Sequence, residues 1–215
     1  MQRGIRCHVR FQTGRRLDAD TFENDDLAMR FEVTRRGLTL VGALAWGFAE
    51  ATLFFIVPDV LLTFVATTDG RLALVACLFA VCGALVGGVL MYAWGAEDAV
   101  GAKAVLERVP AVHAAMIQEV QEQIQERGAD AIFVGPLEGK PYKLYAVEAG
   151  ACGVPIMQFL FLTGPARLLR FVFLTVLVWS IARWPCRRWS VRLRHGALIT
   201  CWLLFYAGYF CYFGI

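Results

Sequence analysis

The chain has 215 residues, 58% of them hydrophobic and 18% charged, with a formal net charge of +3. Soluble domains average about 45–50% apolar and about 25% charged residues, so this composition excludes an ordinary water-soluble globule and points to an all-α integral membrane protein. The small positive excess is spread over loops, which does not suggest nucleic acid as a partner.

Residues 1–36 are polar and rich in Arg. A basic start with no apolar stretch behind it is not a secretory signal, and the acidic run "DADTFENDD" does not suit an organelle-targeting peptide. This segment reads as a cytoplasmic tail or docking segment. A membrane domain over residues 37–182 follows.

Its first block, residues 38–68, reads "LTLVGALAWGFAEATLFFIVPDVLLTFVATT". It is too long for one simple span, Pro58 interrupts it, and it carries two carboxylates, Glu50 and Asp59. Residues 72–96 carry no charge, and the pattern predicts a transmembrane helix over 72–94, since ~20 apolar residues cross the hydrocarbon core. Gly83 and Gly87 form a G-x-x-x-G face that lets another helix come close.

Residues 97–130 are polar. From Val112, the positions Ala115, Met116, Glu119, Val120, Gln123 and Ile124 repeat at helical spacing, which predicts an amphipathic helix on the membrane surface or a soluble helical loop. Residues 131–152 are apolar at both ends and broken by Gly135, Pro136, Gly139 and Pro141, with Lys140 and Lys143 at the break. Residues 156–182 are long enough to span. Arg167 and Arg170 lie inside this stretch, or at its start if the helix begins only after Pro165. A basic loop, 183–195, and an aromatic-rich last span, 196–213, complete the chain.

Lys and Arg near span ends favour the cytoplasm. The segment ending "RFEVTRRG" and the run "RWPCRRWSVRLRH" are therefore placed inside, and 97–130 outside. With 72–94 crossing outward, 38–68 begins and ends inside, and 131–152 begins and ends outside. Each is then expected to be a re-entrant hairpin, the two oppositely oriented. Inverted repeats whose broken helices meet near the midplane are a transporter architecture. The competing topology makes 38–57 an ordinary span and leaves Asp59 at an interface.

The seven cysteines include no C-x-x-C, and His8, His113 and His195 sit in three separate segments. Neither a metal site nor a cofactor is expected.

A carboxylate at membrane depth costs about 2.5–3.5 kcal/mol on insertion scales, so it needs a partner, a cavity or a proton. If the hairpin tips meet, Glu50 and Asp59 share a site with Lys140 and Lys143. The blander alternatives are structural ion pairs, Asp59 capping the helix after Pro58, and lysines that snorkel to the interface. Glu138 and Glu148 are expected to face an aqueous vestibule.

The stretch "EATLFFIVPD" resembles the first signature of the DedA family (also called the VTT or SNARE-associated Golgi-like family), a membrane Glu followed by Pro and an acidic residue. The later "FVGPLEGKPYKLYAVEAG" resembles that family's second signature, a broken basic loop closing on "AG", in the form of the small YqaA-like branch. The similarity covers roughly residues 40–180. The wider family places arginines in the second loop; here Pro136 stands near the first of those positions and lysines carry the charge, without arginine's bidentate fork.

The resemblance implies no enzymatic activity but lipid movement: a flippase or scramblase for polyprenyl phosphate or phospholipid, coupled to a proton or sodium gradient, in a bacterial inner membrane with the N-terminus cytoplasmic. Glu50 and Asp59 would then take up the coupling ion, and Lys140, Lys143, Arg167 and Arg170 would hold the phosphate. An ion-coupled small-solute transporter and a non-catalytic membrane organiser use the same features, and a homodimer stays open. An intramembrane enzyme is disfavoured, since neither H-E-x-x-H nor G-x-S-x-G occurs.

Overall fold

The computed structural model describes the backbone of residues 19–110 and 112–213. Cys7, His8 and the rest of residues 1–18 lie outside the described residues. The chain divides into two units, residues 1–36 and 37–215. In the first, the described residues are helical, and a surface ion pair between Arg36 and Glu32 (2.6 Å) joins successive turns. All further description concerns the second unit.

Among the described residues every regular element is helical. In chain order these are α1 (Ala19–Thr52), α2 (Asp59–Ala66), α3 (Gly70–Glu97), α4 (Ala99–Leu106), α5 (Ala114–Arg127), α6 (Asp130–Val134), a 3-10 turn (Gly135–Glu138), α7 (Tyr142–Ala151), α8 (Ile156–Arg183) and α9 (Val191–Phe213). The starts of α3 and α4 are written in the sequence. The Asp69 carboxylate accepts from Leu72 N (3.0 Å) and the Asp98 carboxylate from Gly101 N (2.9 Å), each satisfying an N–H that a helix start leaves open.

Two helices, α3 and α8, are long and apolar enough to cross a membrane. Each has 28 residues, so each is about 42 Å long at 1.5 Å per residue, against a core of about 30 Å. The outer face of α8 exposes Phe161, Leu169 and Phe173, and that of α3 exposes Leu78, Val86 and Leu90. Contiguous apolar surface of this kind suits lipid rather than water. The expected last span forms one helix, α9, which already begins at Val191 within the expected basic loop.

Helix α3 is the hub. It packs on α2, α4, α7 and α8, and its small residues set how close the neighbours come. A side chain at Gly83 would strike the backbone carbonyl of Leu44, and one at Gly47 would strike that of Ala80, so α1 and α3 touch backbone to backbone. The G-x-x-x-G face is therefore an α1–α3 contact.

The amphipathic helix expected in the polar interval is present as α5, with its apolar face turned inward. The interval forms α4 and α5, and the apolar side of α5 (Met116, Ile117, Val120 and Ile124) is buried in the same core as α7. The protein itself covers that face.

Candidate functional site

The opening apolar block is a helix, a break and a second helix. Helix α1 ends at Thr52 and α2 starts at Asp59, after Pro58. The helical hydrogen-bond ladder is interrupted between them, and backbone groups left open there need other partners. Side chains supply them. Lys143 Nζ donates to the Phe54 carbonyl (2.9 Å), Trp46 Nε1 donates to the Ile56 carbonyl (2.9 Å), and the Val57 N–H donates to the Tyr206 hydroxyl (3.0 Å).

Two ion pairs flank this break. Arg167 reaches Glu50 with both terminal nitrogens: Nη1 lies 2.8 Å from Oε2, and Nη2 donates to Oε1 at 3.1 Å. Both side chains are buried, Arg167 at 3% and Glu50 at 7% exposed. Arg170, one turn further along α8, donates to Asp59 Oδ2 at 2.9 Å. Asp59 is fully buried. It therefore does not cap α2, since its carboxylate meets a guanidinium and makes no capping bond. The two arginines are interior residues of α8, which begins at Ile156 and runs through Pro165.

Tyr142, the first residue of α7, completes the cluster. The Arg167 guanidinium stacks over its ring at 4.1 Å from the centroid, a cation–π contact in a desolvated site. The cluster so assembled holds three cations (Lys143, Arg167, Arg170) and two carboxylates (Glu50, Asp59), with Lys143 bonded to a neutral carbonyl. Several buried polar atoms lack an aligned hydrogen-bond partner, among them Asp59 Oδ1, the Tyr142 and Thr163 hydroxyls and Arg167 Nε. Beside them lies a cavity of about 10 Å³ lined by Ile132, Pro136, Tyr142, Thr163, Arg167 and Arg170, among others. That is room for about one water molecule and for nothing larger.

The remaining candidates lie elsewhere. Lys140 does not join Lys143; its Nζ is 2.8 Å from Glu119 of α5, a carboxylate 59% exposed. Glu148 does not face a vestibule. It is buried in α7 and lies 2.6 Å from Lys103 of α4. Glu138 is at the surface, paired with Arg127 at 3.3 Å. At the second break, Gly135 and Pro136 enter the 3-10 turn, Pro141 precedes α7, and Gly139 adopts φ +93°, a left-handed conformation that costs glycine little. No group of metal-ligating side chains occurs among the described residues.

Sequence reasoning missed Tyr142, Trp46 and Tyr206. Tyr142 sits inside the quoted "GKPYK" and carried a faint signal by its position; Trp46 and Tyr206 carried none, because an aromatic in an apolar span reads as lipid contact.

No known protein family matches the chain, and no solved structure does. Over 166 residues the chain is 24% identical to an uncharacterized protein of Haemophilus influenzae, a match spanning 77% of this chain and 83% of that protein.

Proposed function

We propose that the protein is a membrane lipid transporter of the DedA type, which moves a phosphate-bearing lipid (polyprenyl phosphate or phospholipid) across a bacterial inner membrane with its N-terminus in the cytoplasm. The segments 38–68 and 131–152 act as two re-entrant hairpins of opposite orientation, the first ahead of the span α3 and the second ahead of the span α8. The observation that carries this reading is the buried charge cluster at the first break, where cations outnumber carboxylates by one. Isolated buried charge is expensive, and a cluster with a surplus cation is suited to an anionic guest.

The pairing suggests how release and uptake are coupled. In the empty protein Glu50 and Asp59 neutralise Arg167 and Arg170. A proton taken up by Glu50 frees the Arg167 fork, which then binds phosphate bidentately. Loss of that proton restores the ion pair and expels the anion. Lys143 supplies the third positive charge. A cavity of about 10 Å³ admits no headgroup, so transport requires the hairpins to part.

The test is headgroup flipping in proteoliposomes with fluorescent phospholipid and polyprenyl phosphate, with and without a proton gradient. Flipping by the native protein that Arg167→Lys and Glu50→Gln both lose is the expected result. No flipping of either lipid under any gradient would overturn the reading in favour of a solute transporter or a membrane organiser.

A further inference from the structure

A second basic feature lies far along α8 from the charge cluster. The turn between α2 and α3, the last turn of α8, the loop behind it and the start of α9 enclose an open cup of about 890 Å³. Ligand sites commonly measure about 300–1,000 Å³. Thr67 and Thr68 form one wall, Trp179 and Arg183 another, and Arg187 and Arg194 close the rim.

The charge of this cup is one-sided. Among the described residues, none of Arg183, Arg187 and Arg194 has a carboxylate within ion-pair distance, whereas Arg167 and Arg170 both do. Arg194 is held in place: its Nη1 donates to the Thr67 carbonyl at 2.9 Å, while its buried Nε has no partner. The neighbouring His195 fixes the same threonine, with Nε2 2.9 Å from Thr67 Oγ1 and its ring stacked on Phe64 at 4.0 Å. Arg183 lies over the Trp179 ring at 5.7 Å. A side chain at Gly70 would run into the Trp179 indole, so the start of α3 packs directly against this wall residue. Trp184 is 84% exposed at its edge, and tryptophans gather where headgroups meet hydrocarbon.

We propose that this cup is a second anion site, taking a phosphate-bearing group through Arg183, Arg187 and Arg194, separate from the cluster at the first break. Three guanidinium groups around a pocket of this size match the oxygens of a phosphate monoester or diester. The phosphate comes either from a lipid headgroup, whose acyl chains would lie along the exposed apolar face of α8, or from a soluble phosphate compound. The site stands whether or not the buried cluster transports lipid.

The experiment uses the full chain purified in neutral detergent. Inorganic phosphate is titrated by calorimetry, and native mass spectrometry counts lipid retained from nanodiscs of phosphatidylcholine alone or with phosphatidic acid. Arg183→Gln and Arg187→Gln remove exposed wall charges without touching the core, and Arg188→Gln removes an equal exposed charge outside the lining. Each wall variant is expected to weaken binding about tenfold, the scale of one charge-assisted hydrogen bond, with Arg188→Gln near the native value. Binding of both probes marks a general phosphate site; binding of phosphatidic acid alone marks a headgroup site. Either supports the proposal. Failure of both probes to bind, or an equal loss in Arg188→Gln, overturns it, and unchanged flipping in the wall variants keeps this result distinct from that of the buried cluster.

Discussion

Arg167 and Glu50 are 117 residues apart in the chain, yet both terminal nitrogens of the guanidinium meet both carboxylate oxygens inside the helix bundle, at 2.8 and 3.1 Å. A pair so buried is not simply stabilising. Desolvation offsets most of its attraction, while removal of one partner strands the other.

The first prediction concerns that stranding. Glu50→Gln leaves Arg167 buried without its counter-charge and should destabilise the fold by about 3 kcal/mol. Glu50→Gln with Arg167→Gln should recover part of the loss, with a coupling energy of about 2 kcal/mol. Thermal unfolding of the four proteins of this cycle in one detergent measures it. Additive losses would show that the two side chains do not interact in the membrane-embedded protein. The guanidinium beside Glu50 is the reason to expect this loss.

Arg167→Lys keeps the positive charge but not the fork or the stacking over Tyr142. Lipid flipping should fall about tenfold or more, with folding largely kept. Tyr142→Phe should be nearly silent in comparison, because the ring under the guanidinium remains. Flipping rates normalised to reconstituted protein decide this, and a native rate in the Arg167→Lys variant would contradict the role given to the fork.

The two lysines of the second break should behave differently. Lys143→Met removes the donor to the Phe54 carbonyl and a cation of the buried cluster, and should cost about 1–3 kcal/mol as well as transport. Lys140→Ala breaks only a pair with an exposed carboxylate, worth about 0–1 kcal/mol, and should leave transport intact. Parallel melts and flipping assays compare them. An equal loss in both would mean that Lys140 reaches the site during transport.

Tyr206→Phe should release the Val57 N–H and cost about 1 kcal/mol. Hydrogen exchange should rise at residues 53–58 and stay unchanged in α3, because α9 touches the break through this hydroxyl and through the Phe55 contacts with Tyr206 and Phe210. Uniform exchange across the chain would instead indicate global loosening.

Gly83→Leu should prevent folding, since the new side chain meets backbone of α1 rather than a movable side chain. Size-exclusion profile and protease resistance read this directly. A monodisperse, protease-resistant Gly83→Leu variant would show that α1 can shift away from α3.

Composition and hydropathy alone marked a helical chain with apolar segments long enough to span, because hydrocarbon must surround them and no local alternative satisfies the backbone. Pro58 and the Gly139–Pro141 stretch marked the breaks, because proline lacks an N–H and glycine tolerates φ +93°. The carboxylates stood out for their cost in an apolar setting. Their partners were not legible. Nothing local tells Arg167 from a helix-end arginine, or Lys143 from Lys140, because pairing depends on which faces of α1, α2, α7 and α8 converge. That convergence follows from glycine contacts on α3 between residues distant in sequence, and only the tertiary structure decides them. The same holds for Tyr206 and Trp46. Each reads as an aromatic in a span until the broken backbone at residues 53–58 is beside it and needs a donor or an acceptor.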